Sequence, residues 1–243
     1  MELRGATALI TGGAHRLGRA IGLALAEAGA DVAFTYWSSA DAARDTCRAI
    51  EQRGVRALAL RADAADDRQM RAALGRVRRA FGRLDLWVAN AGVFRRTPLA
   101  DATPADWDDM LRLNFDTFLV PARRIGPLFA RQGGGCIVAL GDVAALRPWA
   151  DYVPYCLAKR ALVAHALWLA RALAPAVRVN VVAPGPVLFP PDFPAAARRR
   201  EIARTLLRRA GSARDIADAV LYLARADYVT GVVLPVDGGR RFA

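Results

Sequence analysis

Residues 6–29, ATALITGGAHRLGRAIGLALAEAG, join a short apolar run, a glycine turn and an amphipathic segment. The apolar run stops at Gly12, and from Leu17 apolar residues recur at helical spacing until Gly29. This order predicts a strand, a glycine turn and a helix. Backbone N–H groups in such a turn, together with the helix N-terminus, can receive a pyrophosphate, so the stretch predicts a nucleotide site.

The rest of the chain repeats this alternation. Strands are predicted at 31–36, 55–60, 84–89, 136–140, 177–182 and 232–236, and helices at 41–53, 66–81, 104–131, 155–173 and 213–225. Regular alternation of this kind predicts right-handed crossovers between parallel strands. We therefore expect a single α/β domain over 1–243, a Rossmann fold with a doubly wound parallel sheet of about seven strands.

One interval, 186–211, interrupts the alternation with a proline-rich start and an arginine-rich helical stretch. A long insertion after the carboxyl end of a strand lies over the crevice where doubly wound sheets bind ligands. We predict a substrate lid here and call these residues the lid segment. An ordered surface loop is the alternative.

Composition limits the classes of protein to which the chain can belong. Of 243 residues, 54% are apolar and 24% charged, which excludes a disordered chain. No apolar run approaches the roughly 18 residues of a membrane span, and Met1 leads straight towards the first predicted strand without a signal peptide. We therefore expect a cytoplasmic protein that does not associate with membranes.

The net charge of +12 raises the question of nucleic-acid binding. The arginines are spread along the chain, and their densest group, within 198–209, has no helix-turn-helix, zinc-finger or RNA-binding motif beside it. We predict no nucleic-acid partner, but a surface that attracts anionic ligands. The three cysteines show neither CxxC nor Cys/His spacing, so we predict no metal site.

Tyr155 and Lys159 stand at i and i+4, and in a helix they would project from one face. Lys159 is the single lysine of the chain, whereas the other basic residues are arginines. A position that keeps a compact ammonium where the chain otherwise uses guanidinium groups predicts a functional requirement. The alternative is chance, because Tyr-x-x-x-Lys by itself is a common pattern.

The glycine turn at 11–18 resembles that of the short-chain dehydrogenase/reductase family, Thr-Gly-x-x-x-Gly-x-Gly, with Arg16 in place of the middle glycine. The resemblance covers nearly the whole chain and implies hydride transfer with a nicotinamide cofactor. It implies these cofactor-binding residues: Gly12, His15, Arg16, Leu17, Gly18, Tyr36, Ser38, Ser39, Asp63, Ala64, Asn90, Ala91, Gly92, Tyr155, Lys159, Pro184, Gly185 and Val187.

The end of the second strand indicates which nicotinamide cofactor is used. NAD enzymes usually place an acidic side chain there for the ribose 2′-OH, whereas NADP needs that charge absent and donors present. This chain has Ser38 and Ser39 there, with no acid until Asp41, and His15 and Arg16 lie in the nearby glycine turn. We therefore predict NADPH as the cofactor. The alternative for His15 is that it does not contact the cofactor.

The family resemblance also implies a catalytic set of four residues, Asn114, Asp142, Tyr155 and Lys159. Asn114 matches the asparagine that completes a proton path. Thirteen residues before Tyr155, where the family has a serine that polarises the carbonyl, this chain has Asp142. An ionised carboxylate cannot donate to a ketone oxygen, but it can accept from the N–H groups of a pterin or pass a proton to Tyr155. An ordinary aspartate at a strand end is the alternative.

One branch of the family, the pteridine reductases, carries Arg in the glycine turn and Asp in place of the serine, and this sequence resembles it. Phe94 matches the aromatic residue that stacks on the pterin ring, whereas Gly92 stands where that branch commonly has Ser. The resemblance implies a substrate site formed by Phe94, Asp142 and Tyr155. Tyr155 is expected to donate the proton, with its pKa lowered by the ammonium of Lys159.

The expected function is therefore an NADPH-dependent reductase of a pteridine or dihydrofolate-like substrate. A 3-oxoacyl-acyl-carrier-protein or general ketone reductase is the alternative, and the arginines of 198–209 would then dock an acidic carrier. A non-catalytic NADP-binding regulator is the alternative from another class. The apolar residues of 104–131 and 155–173 need a second covering surface, which predicts a homodimer or a homotetramer.

Overall fold

The computed structural model describes residues 1–147, 149–190 and 193–243. Its strands are β1 Thr7–Thr11, β2 Asp31–Tyr36, β3 Ala57–Arg61, β4 Leu86–Ala89, β5 Gly135–Leu140, β6 Val177–Pro184 and β7 Val233–Val236. Its α-helices are α1 Arg16–Glu27, α2 Ala40–Glu51, α3 Asp67–Phe81, α4 Pro104–Leu111, α5 Thr117–Arg131, α6 Val153–Ala172, α7 Ala195–Ala203 and α8 Ala213–Arg225.

The strands form one parallel sheet in the order β3-β2-β1-β4-β5-β6-β7. The chain begins in the middle of the sheet, moves outward to β3, and returns to the other side of β1 to continue outward. The direction of winding reverses between β1 and β4, and a crevice opens there at the carboxyl ends of the strands. The predicted doubly wound sheet of seven strands is therefore confirmed.

Helices cover both faces of the sheet and bury two apolar cores. On one face α1, α2 and α8 pack against the sheet, with Ile21, Leu25 and Leu223 buried. On the other face α3, α5 and α6 enclose Trp87 and Phe118, whose rings stack at 5.4 Å between centroids. Burying a large apolar side chain contributes about 1.5–3 kcal/mol, so these layers hold the sheet in place.

The helix predicted over 104–131 is interrupted. A π-helical turn, Arg112–Asp116, separates α4 from α5. Pro121 has no N–H to donate to the carbonyl of Thr117, so α5 lacks one bond in its first turn, although the helix continues to Arg131. The wider turn also carries Asn114 into the interior, where its side chain is buried.

The lid segment, of which 191 and 192 lie outside the described residues, follows β6 and precedes α8. It contains α7, and Gly211 closes it through a bond from its N–H to the carbonyl of Pro186 at 3.0 Å. Within the described part of the chain, no helix is long and apolar enough to cross a membrane. The same residues contain no cluster of three or more side chains suited to a metal ion.

Candidate active site

A cavity of about 1250 Å³ opens at the carboxyl ends of the central strands. The glycine turn, the end of β2, the segment 90–96, the segment from Leu140 to Lys159 and the lid segment line it. Pockets for one small ligand usually measure about 300–1,000 Å³. This cavity therefore has room for a dinucleotide and a substrate side by side.

The glycine turn is shaped to bring backbone N–H groups to the cavity. Gly12 has φ 71°, and a Cβ at Gly18 would lie 2.2 Å from the carbonyl oxygen of Gly12. Helix α1 begins at Arg16, and its N-cap residue His15 makes no side-chain cap. The first N–H groups of α1 are therefore available to a pyrophosphate.

Arg16, which replaces a glycine of the family pattern, adopts φ 52° in the left-handed region. Its guanidinium leaves the glycine turn and donates to the carbonyl of Leu188 at 2.7 Å, with a longer contact of 3.5 Å to that of Phe189. In this structure Arg16 thus connects the glycine turn to the lid segment, and its help at a 2′-phosphate stays a prediction.

The end of β2 offers hydroxyl groups without a carboxylate. Ser38 and Ser39 line the cavity, and Ser39 is the N-cap of α2 without a side-chain cap bond. Arg61, at the end of β3, pairs in register with Tyr36, and its guanidinium lies 5.7 Å from the ring centre of Trp37. The sequence interpretation missed Arg61, although carboxyl ends of adjacent parallel strands always meet at one edge.

A smaller cavity of about 270 Å³ lies beside this point, lined by Asp63, Ala64 and Arg112 among others. Asp63 accepts from the N–H of Ala65 at 2.9 Å and forms an ion pair with Arg112. Its side chain is therefore held in place at the edge of the sheet. Asp63 and Ala64, which the sequence predicts to bind the cofactor, lie together there.

Asn90 joins the first half of the sheet to the second. Its amide donates to the carbonyls of Thr11 at 3.1 Å and of Gly12 at 2.8 Å. The side chain thus holds the glycine turn in position against β4. Two residues further, a Cβ on Gly92 would lie 2.8 Å from Oδ1 of Asn114 and 3.4 Å from Nζ of Lys159. A side chain at Gly92 would therefore crowd the amide of Asn114.

Asn114 is bonded to two segments of the site. Its Oδ1 accepts from the N–H of Val93 at 3.1 Å, and its Nδ2 donates to the carbonyl of Met110 at 3.3 Å. The π-helical turn that carries Asn114 therefore fixes the loop after β4. Because both Asn114 and Lys159 lie beside Gly92, the structure brings these two predicted catalytic residues together.

Tyr155, Asp142 and Lys159 meet at the end of β5. The hydroxyl of Tyr155 donates to Oδ2 of Asp142 at 2.6 Å, and Oδ1 of Asp142 accepts from the N–H of Ala144 at 2.7 Å. Lys159 donates to the carbonyl of Leu140 at 3.0 Å. The predicted i, i+4 pair is confirmed on α6, but the partner of the phenol is the carboxylate.

The ionisation of these groups differs from the prediction. Burial raises the pKa of Tyr155 well above its usual value, and the charge and hydrogen bond of Asp142 raise it further, so the predicted lowering of this pKa was wrong. Burial also raises the pKa of Asp142 and lowers the pKa of Lys159 to about 8. At pH 7 Tyr155 is therefore a protonated phenol, ready to donate.

Aromatic rings form the wall opposite the glycine turn. The ring of Phe94 stacks on that of Tyr152 with 4.6 Å between centroids. It contacts the ring of Tyr155 edge to face, with 5.1 Å between centroids. Trp149 contacts both Phe94 and Tyr152. The predicted substrate residues Phe94, Asp142 and Tyr155 thus lie together. Trp149 and Tyr152 were missed, although their place just before Tyr155 was a usable signal.

A buried arginine connects this wall to the lid segment. Arg240 is 3% exposed and donates to Glu201 of the segment at 2.9 Å. It also donates to the terminal Ala243 at 2.9 Å and lies 5.7 Å from the ring centre of Trp149. The network fixes the end of α7 against the aromatic wall.

The predicted residues at the end of β6 also reach the cavity. The N–H of Gly185 donates to the carbonyl of Val236 at 3.0 Å, and a Cβ there would lie 2.6 Å from Cα of Asp237. Pro184, Gly185 and Val187 line the cavity where the lid segment begins. This tight junction fixes the start of the segment.

A doubly wound sheet, a glycine turn at α1 and a Tyr–Lys pair in one cleft define a nicotinamide-dependent oxidoreductase. Residues 12–241 match the family model described as enoyl-(acyl carrier protein) reductase. The chain belongs to the short-chain dehydrogenase/reductase family.

Relatives that match over nearly the full length include ketone reductases. The chain is 36% identical to the granaticin polyketide synthase putative ketoacyl reductase 2 of Streptomyces violaceoruber, covering 96% of this chain and 94% of the relative. It is 32% identical to a 3-oxoacyl-acyl-carrier-protein reductase of Staphylococcus aureus, covering 96% and 97%. The structure of the NADPH-dependent 3-quinuclidinone reductase of Rhodotorula rubra aligns with TM-score 0.93 at 29% identity, covering 100% and 93%. The predicted family is confirmed, whereas the pteridine-reductase branch stays a prediction.

Proposed function

We propose that the protein is an NADPH-dependent reductase that saturates a C=N bond in a pteridine or dihydrofolate-like ring. The hydrogen bond of 2.6 Å between Tyr155 and Asp142 carries this proposal. An ionised carboxylate beside the proton donor accepts from ring and amino N–H groups, which a nitrogen heterocycle offers and a simple ketone does not. Phe94, 37% exposed beside them, provides a surface for stacking a flat ring.

Three parts of the chain are suited to hold NADPH. The glycine turn and the first N–H groups of α1 would hold the pyrophosphate, and Asp63 and Ala64 would contact the adenine. Ser38 and Ser39, with Arg61 nearby, supply donors and positive charge for the 2′-phosphate. The residues present therefore fit this cofactor, which when bound supplies the hydride.

The protein's own groups manage the proton. Tyr155 gives its proton to the ring nitrogen as the neighbouring carbon receives the hydride. A phenolate left beside the Asp142 carboxylate would be unfavourable, so the proton must be restored quickly, and the ammonium of Lys159 reduces this repulsion. The raised pKa of Asp142 suits it to pass a proton from the cavity to Tyr155.

Reduction of a 3-oxoacyl group or another ketone is the second candidate. The two sequence relatives described above favour it by their names. The raised pKa of Asp142 provides a chemical route, because a protonated carboxyl group can donate to a carbonyl oxygen. The assembled set of Tyr155, Lys159 and Asn114 argues against a non-catalytic regulator.

The test follows NADPH oxidation with dihydrobiopterin, dihydrofolate and an acetoacetyl thioester. Wild type is compared with Asp142→Ser, which restores the family's usual donor, and with Asp142→Asn, which keeps the size without the charge. We expect turnover of a pterin whose kcat/KM falls strongly in both variants. Thioester turnover that rises in Asp142→Ser, without pterin turnover in wild type, would establish the ketone reductase instead.

We also propose that the lid segment covers the substrate and that the protein assembles as a homodimer or homotetramer. The lid residues from Pro186 to Arg204 that line the cavity support the first proposal. Helix α6 supports the second, because Leu157 and Trp168 are 48% and 75% exposed on it. The cytoplasmic location stays a prediction.

A further inference from the structure

Acidic side chains near the mouth of the cavity already have basic partners. Asp151 pairs with Arg96 at 3.0 Å. Glu201 pairs with Arg204 at 2.9 Å and with the buried Arg240 at 2.9 Å. These carboxylates therefore do little to neutralise any further positive charge at this end of the cavity.

Two more arginines, Arg147 and Arg200, line the same cavity, and both are exposed. Arg147 follows the short turn Val143–Ala145 that begins at Asp142, whereas Arg200 belongs to α7 of the lid segment. Within residues 1–147, 149–190 and 193–243, neither forms an ion pair. Positive charge thus reaches the cavity from two separate elements.

The cofactor does not account for this charge. Its pyrophosphate belongs at the glycine turn and its 2′-phosphate at the end of β2, where Ser38 and Ser39 lie. Arg147 instead precedes Trp149 of the aromatic wall by two residues. Arg200 precedes Glu201, whose partner Arg240 lies 5.7 Å from the ring centre of Trp149. An anion bound by these two arginines would therefore be part of the substrate.

We infer that the substrate carries an anionic group, a carboxylate or a phosphate, at the end remote from the reduced bond, and that Arg147 and Arg200 bind it. A guanidinium presents parallel N–H donors that match the two oxygens of either group. The inference rests on the proposed reductase function and narrows its substrate class. A free acid with a carboxylate tail and a phosphate-bearing thioester carrier are the two sources of this chemistry.

Helix α7 provides a matched control. Arg199 is exposed on the same helix as Arg200 but does not line the cavity. Arg198 is unsuitable, because its guanidinium already lies 5.3 Å from the ring centre of Phe189. Replacing Arg199 or Arg200 removes the same charge from the same element, so only the position relative to the cavity differs.

The test compares anionic with uncharged substrates. The ratio of kcat/KM for dihydrofolate over dihydrobiopterin reports on a carboxylate tail, and that for acetoacetyl-coenzyme A over the acetoacetyl thioester of N-acetylcysteamine reports on phosphate. We expect at least one ratio to fall about three- to fivefold in Arg147→Gln and in Arg200→Gln, the size of one exposed ion pair. Arg199→Gln should keep the wild-type ratio, and added salt should reduce the ratio in wild type.

Which ratio falls identifies the source of the anion. A fall in the folate ratio alone identifies the free acid, and a fall in the coenzyme A ratio alone identifies the carrier-like thioester. Equal ratios in wild type and all three variants, or an equal fall in Arg199→Gln, would overturn the inference.

A binding measurement separates this inference from the proposed function. Quenching of tryptophan fluorescence by folate and by biopterin, on protein saturated with NADP, requires no turnover. A preference for folate that weakens in Arg147→Gln and Arg200→Gln supports the anion site even if neither ring is reduced. The anion site would be overturned if wild type bound folate and biopterin with equal affinity and had equal kcat/KM for the coenzyme A and N-acetylcysteamine thioesters. That result would leave the chemistry at Tyr155 open.

Discussion

Asp142 influences the ionisation of both catalytic neighbours. Its charge raises the pKa of Tyr155 and, against the effect of burial, that of Lys159. In Asp142→Asn both pKa values should fall, so the alkaline limb of the kcat/KM profile should move to lower pH. We expect kcat/KM at pH 7 to fall by about 100-fold, within the usual range for lost general-acid support.

The pH profile separates this role from a structural one. A variant that merely distorts the site would lower kcat/KM at all pH values without moving the alkaline limb. Circular dichroism and NADPH affinity of Asp142→Asn provide the control for folding. A limb that stays in place would contradict the electrostatic role of Asp142.

Lys159 should reduce stability while it serves the reaction. Its pKa falls from the ordinary 10.5 to about 8 on burial. At about 1.4 kcal/mol per pH unit, the buried ammonium destabilises the folded protein by about 3 kcal/mol at pH 7. Losing its bond to Leu140 offsets about 1 kcal/mol. Lys159→Met should therefore unfold with a free energy about 2 kcal/mol higher at pH 7, while its reductase activity is lost.

The pH dependence of the free energy of unfolding tests whether Lys159 destabilises the folded protein. Between about pH 8 and 10.5 the unfolded chain keeps the proton of Lys159 whereas the folded protein has released it. Wild-type stability therefore gains from this group as pH rises through that range. Urea unfolding at pH 7 and pH 9.5 should show the advantage of Lys159→Met shrinking, and a constant difference would refute the assignment.

Gly92 leaves room for the amide of Asn114. Because a Cβ there would lie 2.8 Å from Oδ1 of Asn114, we expect Gly92→Ser to displace that amide and to lower kcat about tenfold. Gly75→Ser on α3, where the nearest atom is 3.7 Å away, should keep wild-type kinetics. Unchanged kcat in Gly92→Ser would show that Asn114 tolerates the shift.

Sequence spacing was sufficient for residues whose roles depend on local geometry. Tyr155 and Lys159 follow from one helical turn, and Asp142 from its distance along the chain to Tyr155. Arg61 and Arg240 could not be found in this way, because their importance depends on neighbours from other strands and helices. The direction of the Tyr155 pKa also required the burial that only the fold provides.

At the scale of elements, periodicity located the helices but not their interruptions. The apolar pattern continues through 104–131 because both α4 and α5 pack against α6. Nothing in that pattern distinguishes a π-helical turn from an α-helical one. The turn buries Asn114, whose bonds to Val93 and Met110 depend on the folded loop after β4.

The connection between α1 and the lid segment depends on Arg16. Arg16→Gly should relieve the left-handed backbone, gaining about 1 kcal/mol, but it removes the bonds to the carbonyls of Leu188 and Phe189. Amide exchange in the lid segment should therefore quicken while global stability holds or rises. Arg16→Ala loses the same bonds but keeps a side chain in the left-handed backbone conformation. Equal stability of the two variants would show that this conformation is not strained.

At the scale of the molecule, the exposed face of α6 predicts self-association. Trp168 is 75% exposed, and buried tryptophans at interfaces often contribute about 2–4 kcal/mol. Light scattering at micromolar concentration should show a dimer or tetramer for wild type and Trp168→Phe, and a smaller species for Trp168→Glu. A monomeric wild type would refute this assembly.

The overall architecture was predictable because alternation of strands and helices restricts the possible topologies. Seven parallel strands and their crossovers follow from the period of the apolar residues, although β3 and β4 each begin two residues later than predicted. The shape of the cavity was less accessible. It depends on how the lid segment and the wall of Phe94 and Trp149 meet across long separations in sequence.

The burial of Lys159 also makes the protein open to selective labelling. Apart from the amino terminus, Lys159 carries the only amine of the chain. With a pKa of about 8, about half of it is an uncharged nucleophile at mildly alkaline pH. An acylating reagent that adds to Lys159 must first enter the cleft, so the mass added to the peptide that contains Lys159 counts the molecules whose cleft is accessible. NADPH should protect this amine but not the amino terminus, so mass spectrometry of the two peptides gives a titration of cofactor occupancy.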